Sequence, residues 1–376
     1  MTVTNRWGDV PLQRVPAEHF SVFRGVPGAA YHHHAQVICH QNRLLATFSS
    51  GERDEDQTGQ RMMLCVSDDW GESWSDPVPL RDRMPGFGVV TSEGIFAAGD
   101  LLIAYAGCYD TTDHGMLMYY AMGGKARAGS PGEPPWHAHT RTEIYTSTDG
   151  GNSWQGPVET IPGLVPNLSP FRLPSGRLLL PGNVTFWYTD DTQGIRGWQF
   201  AGLPGLTADF VDDPEGVHRA GHLRGDTTFP CEASGYCLPD GTIRILLRTN
   251  QFRLACTESR DNGVTWSEPT LTDYTDAGSR CHFGQLPDGR YFGLSNPAPR
   301  SVRTPLVLAL SENGTTFDRH FVLGDDPHRL FRIPGLHKYG MYGYPFLCTT
   351  QDTAFAIYST NKEDISLCRF PLSALH

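Results

Sequence analysis

Short apolar runs bounded by Gly, Pro, Asn or Asp recur along the chain, and the 3.6-residue spacing of an amphipathic helix is nearly absent. One unit repeats: a turn, an apolar strand, then a polar residue. It reads HQNRLLATFSS around Asn42, AAGDLLIAYAG around Asp100 and LPSGRLLLPGN around Gly176. It returns as LPDGTIRILLRTN around Gly241, LPDGRYFGLSN around Gly289 and TQDTAFAIYST around Asp352. The copies lie roughly 50 to 75 residues apart, the range of propeller blades. Six copies predict an all-β fold, a six-bladed β-propeller of four-stranded blades, as a single domain over residues 1–376. A β-sandwich offers similar hairpins but lacks this periodicity.

A second repeat interleaves with the first. SDDWGESW begins at Ser67, STDGGNSW at Ser147 and SRDNGVTW at Ser259, with SENGTTF at Ser311 as a degenerate copy. These stretches resemble the Asp box, S-x-D-x-G-x-x-W, of sialidases and related propellers. Ser and Asp can hydrogen-bond the turn backbone, Gly takes a positive φ, and Trp fills space against the neighbouring blade. The boxes are therefore expected to be structural.

Antiparallel pairing about each turn predicts which residues meet at the far end of the hairpin. Counting back gives His33, Thr91, Asn167, Glu232, Arg280 and Gly343, the last flanked by Tyr342 and Tyr344. Counting forward gives Ser49, Gly107, Asn183, Arg248, Asn296 and Ser359. Both sets are mostly polar although they flank apolar strands. Polar groups converging on a propeller axis form a polar pocket, the natural ligand site. The run YHHHAQV opens the first of these strands at the pocket end. Alternation puts His32 and His34 on one face and His33 on the other. Three adjacent strand residues cannot all reach one ion, so no metal and no cofactor is expected. At least one histidine is expected to line the pocket.

The resemblance to sialidases extends beyond the boxes. That family holds a carboxylate with arginines, uses a tyrosine nucleophile paired with a glutamate, and an aspartate as acid/base. By that resemblance Tyr344 in GMYGYPF is the nucleophile, with Tyr342 nearby, and Glu232 in CEASGYC is its partner. Arg248 in RILLR and Arg303 in PRSVRTP, or Arg300, match the second and third arginines. Asp56 in GERDEDQ matches the acid/base, with Glu55 and Asp54 beside it. The departure is the first arginine, where YRIP becomes YHHH. Arg24 lies too early and FRIPG at Phe331 too late to replace it. His32 and His34 therefore join Arg248, Arg303, Arg280, Asn167, Asn296 and Tyr342 as expected substrate contacts, with His33 a catalytic candidate.

The resemblance implies an exo-glycosidase acting on a terminal carboxylated sugar, sialic-acid-like or uronic-acid-containing. Two alternatives stay open. One is a lyase or rhamnosidase at a rhamnose–glucuronate linkage, in which arginines neutralise the uronate and a pocket histidine takes the C5 proton. The other is a glycan-binding propeller without catalysis.

The net charge of −11, with no basic cluster, argues against a nucleic-acid partner. No stretch reaches the apolar length of a membrane span, and MTVTNRWGDVPLQRV lacks the core of a signal peptide. Nine cysteines without a CxxC pair read as reduced thiols, so a cytoplasmic location is expected. The segment from Thr111 to Ala138 is too long for a tight turn and reads as a loop that covers the pocket or mediates self-association.

Overall fold

The computed structural model describes residues 3–111, 138–182, 185–204, 231–299, 302–335 and 338–376. Six antiparallel sheets are arranged as the blades of a β-propeller. Blade one runs Tyr31–His40, Arg43–Gly51, Arg61–Ser67 and Val78–Arg81, from the axis outward. Blade two begins at Gly88–Ala98, blade three at Phe171–Arg172, blade four at Cys231–Cys237 and blade five at His282–Gln285. Blade six begins at Gly343–Thr349 and takes its outermost strand from the other end of the chain. Glu18–Arg24 pairs antiparallel with Asp364–Pro371 and closes the ring. Leu12–Arg14 adds a parallel strand to the rim of blade five.

The apolar runs are continuous because both faces of a blade are buried. Leu44, Ala46 and Phe48 of blade one pack against Phe355, Ile357 and Leu367 of blade six. The alternate residues Leu45 and Leu64 pack against Leu102 and Ala104 of blade two. Among the described residues, no helix is long and apolar enough to cross a membrane.

The Asp boxes form the turns between the third and fourth strands, at the end away from the pocket. In the first, Ser67 Oγ donates to Asp69 Oδ1 at 2.8 Å and accepts from the Gly71 amide at 2.8 Å. Asp69 also accepts the Ser73 amide, and Trp74 Nε1 donates to the Gly71 carbonyl at 3.1 Å. The boxes at Ser147 and Ser259 repeat the Ser–Asp and Ser–Gly bonds. Blade three carries a further turn of this kind. There Asp191 accepts the amides of Gln193, Ile195 and Arg196, and Trp198 donates to Gly194. Its longer spacing hides it from the S-x-D-x-G-x-x-W pattern.

The box glycines also touch the preceding blade. A Cβ on Gly71, where φ is +95°, would lie 2.4 Å from Leu367, and one on Gly151 would lie 2.4 Å from Leu45. Glycine is needed here for conformation and for close approach together.

The expected hairpin register is observed in three blades, as His33↔Ser49, Thr91↔Gly107 and Gly343↔Ser359. In blade four, Cys231 rather than Glu232 opposes Arg248, because the innermost strand bulges there. Equivalent shifts interrupt the innermost strands of blades one, two and six. Asn183, Arg300 and residues 112–137 of the long insertion lie outside the described residues.

Candidate active site

The bulges aim the pocket. His34, Glu232 and Tyr344 occupy the bulge position of their innermost strands, at φ of 54°, 43° and 52°. In blade two that position is Gly94, with φ of 94°. Non-glycine residues resist positive φ, and a bulge that imposes it redirects the side chain toward the axis. Simple alternation therefore fails at YHHH, and His33 and His34 both turn toward Tyr344. Their ring centroids lie 4.0 and 5.3 Å from the Tyr344 ring.

Tyr344 is the centre of the cluster. Its hydroxyl donates to Glu232 Oε1 and accepts from Arg248 Nη1 at 3.1 Å. The same Arg248 nitrogen donates to Glu232 Oε2 at 2.7 Å. The guanidinium carbons of Arg280 and Arg303 lie 4.9 and 5.1 Å from the Tyr344 ring centroid. Burial alone would raise the Glu232 carboxyl, but the Arg248 charge and the bonds from Tyr344 and Arg248 bring it down to about 2. Burial and the Glu232 charge push the Tyr344 phenol well above its ordinary value. The resting pair is thus a phenol hydrogen-bonded to a carboxylate.

Arg303, at φ 52° and 2% exposed, lies with its guanidinium 5.1 Å from both the Tyr339 and the Tyr344 ring centroids. Its Nε and Nη1 are buried without a hydrogen-bond partner. Asn296 holds this segment by donating to the Arg303 and Pro305 carbonyls at 3.1 and 3.2 Å. Its Nδ2 thus braces the backbone that carries Arg303, while its Oδ1 is buried without a hydrogen-bond partner. Asp56, at φ 56°, is buried and accepts the Tyr109 hydroxyl. Its neighbour Glu55 accepts Lys362 Nζ on one oxygen and the Tyr31 hydroxyl, at 3.3 Å, on the other. Burial would raise Glu55, and the Lys362 charge outweighs it and lowers the carboxyl.

Other expected contacts sit elsewhere. His32 lies in the core between Phe23 and Phe48, at ring distances of 4.7 and 5.6 Å, and its Nε2 bonds the Ala29 carbonyl at 2.8 Å. It is on the opposite strand face from the pocket. Tyr342 also turns away. It stacks edge-on with Tyr358 at 5.0 Å, and its hydroxyl accepts the Asp326 amide. Arg280 is 1% exposed and donates to the carbonyls of Asn167, Ala35 and Tyr344, tying blades three, one and six together beneath the site. Asn167 takes part in this strut through its backbone carbonyl, and its side-chain Nδ2 is buried without a hydrogen-bond partner. Two of the three adjacent histidines do meet a carboxylate from the neighbouring turn. The ligand atoms of His33, His34 and Glu55 lie within 4.8 Å of one another.

Several pocket residues escaped the sequence reading. Glu93 is buried, accepts the Thr91 hydroxyl at 2.6 Å and is raised to about 8 by burial. It lies just past the register position Thr91, beside the bulge. Lys362 sits in the turn between the second and third strands of blade six, the same pocket-facing end that carries Glu55 in blade one. That shared end was the available signal. Tyr339 is lowered below its ordinary value, chiefly by Arg303, with Lys362 and Arg248 adding to the effect.

Similar structures share this architecture at low identity. A protein of unknown function from Dyadobacter fermentans DSM 18053 aligns with a TM-score of 0.65 and 16% identity, over 96% of this chain and 100% of that one. The Hadza microbial sialidase Hz136 aligns with 0.64 and 14%, over 92% of this chain and 66% of that one. The intramolecular trans-sialidase from Ruminococcus gnavus, in complex with oseltamivir carboxylate, aligns with 0.64 and 12%, over 95% and 98%. No curated protein sequence matches this chain. The BNR repeat-like domain matches residues 109–357, about two thirds of the sequence, and the chain belongs to that family.

Proposed function

We propose that this protein is a glycosidase that releases a terminal carboxylated sugar, sialic-acid-like or uronic-acid-containing, from a glycan. The observation that carries the reading is the Tyr344–Glu232–Arg248 triad. A phenol is a poor nucleophile until a base removes its proton, and Glu232 is bonded to that proton. As the Tyr344 oxygen bonds the anomeric carbon, its proton passes to Glu232. Asp56 gives a proton to the leaving oxygen, then takes one from the water that releases the sugar. A phenol nucleophile also avoids the repulsion a carboxylate would meet from an anionic substrate. The unpartnered Nε and Nη1 of Arg303 suit the substrate carboxylate, which would supply the buried donors with acceptors.

The test is a panel of terminal sialosides and rhamnosyl-glucuronate oligosaccharides followed by mass. A product gaining water is expected, with turnover reduced about 10⁴-fold or more in Tyr344→Phe. Double displacement also predicts retained anomeric configuration in the first-formed product, read by NMR.

One observation favours a second reading. The Ser359 hydroxyl reaches the Gly343 carbonyl at 3.3 Å and shares a 2.6 Å hydrogen bond with His33 Nδ1, which is the donor in the tautomer with its proton on Nδ1. His33 Nε2 then carries a bare lone pair, buried and without a donor. Such a nitrogen could take the C5 proton of a uronate as the C4–O bond breaks and the Tyr344 hydroxyl protonates the leaving sugar oxygen, giving an unsaturated product at unchanged total mass. That product, lost in His33→Ala and kept in Asp56→Asn, would replace hydrolysis with elimination.

A further inference from the structure

We propose that His33, His34 and Glu55 form a binding site for one divalent transition-metal ion of the zinc class, at the place of the missing first arginine. Two histidines and a carboxylate are a set suited to such ions. The donor atoms lie within 4.8 Å of one another, and His34 Nε2 is 3.8 Å from Glu55 Oε1. A tetrahedral ion with bonds of about 2.1 Å needs donors about 3.4 Å apart. Modest rotation of the rings and the carboxylate closes that gap.

Serine hydroxyls already meet the far nitrogen of each ring. His33 Nδ1 is engaged by Ser359 at 2.6 Å and His34 Nδ1 by Ser49 at 3.0 Å. Metal-bound histidines are typically fixed through the other ring nitrogen in this way, which sets tautomer and orientation. In the His33 tautomer that donates from Nδ1 to Ser359, Nε2 presents its lone pair. That atom is fully buried and has no donor, a costly state that an ion would relieve. Glu55 holds Lys362 on Oε2, leaving Oε1, already met by Tyr31, to face His34. His34 and Glu55 keep 16% and 13% side-chain exposure, whereas His33 has none. An anion would meet a lone pair at His33, so the site fits a cation, despite the nearby Lys362 and Arg303.

The ion would supply the positive charge that YHHH removes, and would bind the substrate carboxylate beside Arg303. This role rests on the function proposed above. Metal binding itself does not, so the two readings fail separately. Chelator-treated protein is dialysed against zinc sulfate and its metal content measured by mass spectrometry. Cobalt(II) is added in parallel and its visible spectrum recorded. One equivalent of zinc with micromolar or tighter affinity, a raised Tm and an intense cobalt band are expected. Affinity should fall about 100-fold in His34→Ala and Glu55→Gln, and about tenfold in Ser359→Ala. It should be unchanged in His139→Ala, a surface histidine control. The cobalt spectrum of the unaltered chain is informative even where a variant misfolds. No stoichiometric uptake by the unaltered chain, or uptake unchanged in both His34→Ala and Glu55→Gln, overturns the site.

Discussion

At the scale of single residues, neighbouring histidines do different work. His32 fills a slot between two phenylalanines, and His33 meets Tyr344 on the other face. His32→Ala should therefore lower stability by about 2 kcal/mol through lost packing and an unpaired Ala29 carbonyl. It should leave the kcat of the folded fraction near its original value, as urea denaturation and kinetics on one preparation would show. Glu232→Gln should do the reverse, lowering kcat at least about 100-fold with the fold intact, because the amide can no longer take the phenol proton. The sequence placed Tyr344, Glu232, Arg248 and Arg303 in one site through resemblance, and the side chains do meet. Alternation paired His32 with His34 and Tyr342 with Tyr344, and the bulges at His34 and Tyr344 part each pair by turning only the later residue to the axis. For Glu93 and Lys362 only their position at the pocket-facing end was legible, not their approach to the axis. Their approach depends on how far a bulge and a turn from another blade lean over the axis, and no local pattern encodes that.

At the scale of elements, the box turns act as inter-blade spacers as well as turns. Gly71→Ala should cost about 2 to 3 kcal/mol, since the new methyl meets buried Leu367 and φ of +95° disfavours any Cβ. A shift in denaturation midpoint at unchanged slope would confirm a local defect; a changed slope would point to loosened blades. Box turns were readable where Ser, Asp, Gly and Trp kept their spacing. The turn at Thr189 shows the limit, because the same hydrogen-bond logic survives an insertion that breaks the pattern. Hairpin register was readable for a simpler reason. Turn residues fix the centre of each hairpin, and antiparallel pairing does the rest.

For the whole molecule, buried titratable groups bound stability on both sides of neutrality. Burial lowers His32 and His320 to about 4 and His282 to about 3. Below their ordinary 6.5 the unfolded chain takes up protons that the folded chain refuses, so stability falls as pH drops from 6.5 toward 4. Burial raises Glu93 to about 8 and Asp276 to about 6. These keep protons that the unfolded chain releases above about 4, so their contribution falls as pH rises. As the histidines become neutral in both states above pH 6.5, Glu93 dominates and costs about 2 kcal/mol by pH 8, where buried Lys338, lowered to about 8, begins to act in the opposite sense. Tm measured across pH 4 to 9 should peak near 6.5. A flat profile would mean these groups stay solvated.

The strand exchange in blade six sets a clock on biogenesis. Glu18 bonds Arg369 across 351 residues, so the outermost strand of the last blade leaves the ribosome long before its partner. At about 5 to 20 residues per second it waits roughly 20 to 70 s with a bare edge. Through that interval the strand EHFSVFR is a template for any other unpaired chain. Its exposed Glu18, His19 and Arg24 then serve as guards against intermolecular pairing before they serve the finished ring. Ring closure comes after synthesis of the last blade, and crowding among nascent chains competes directly with it.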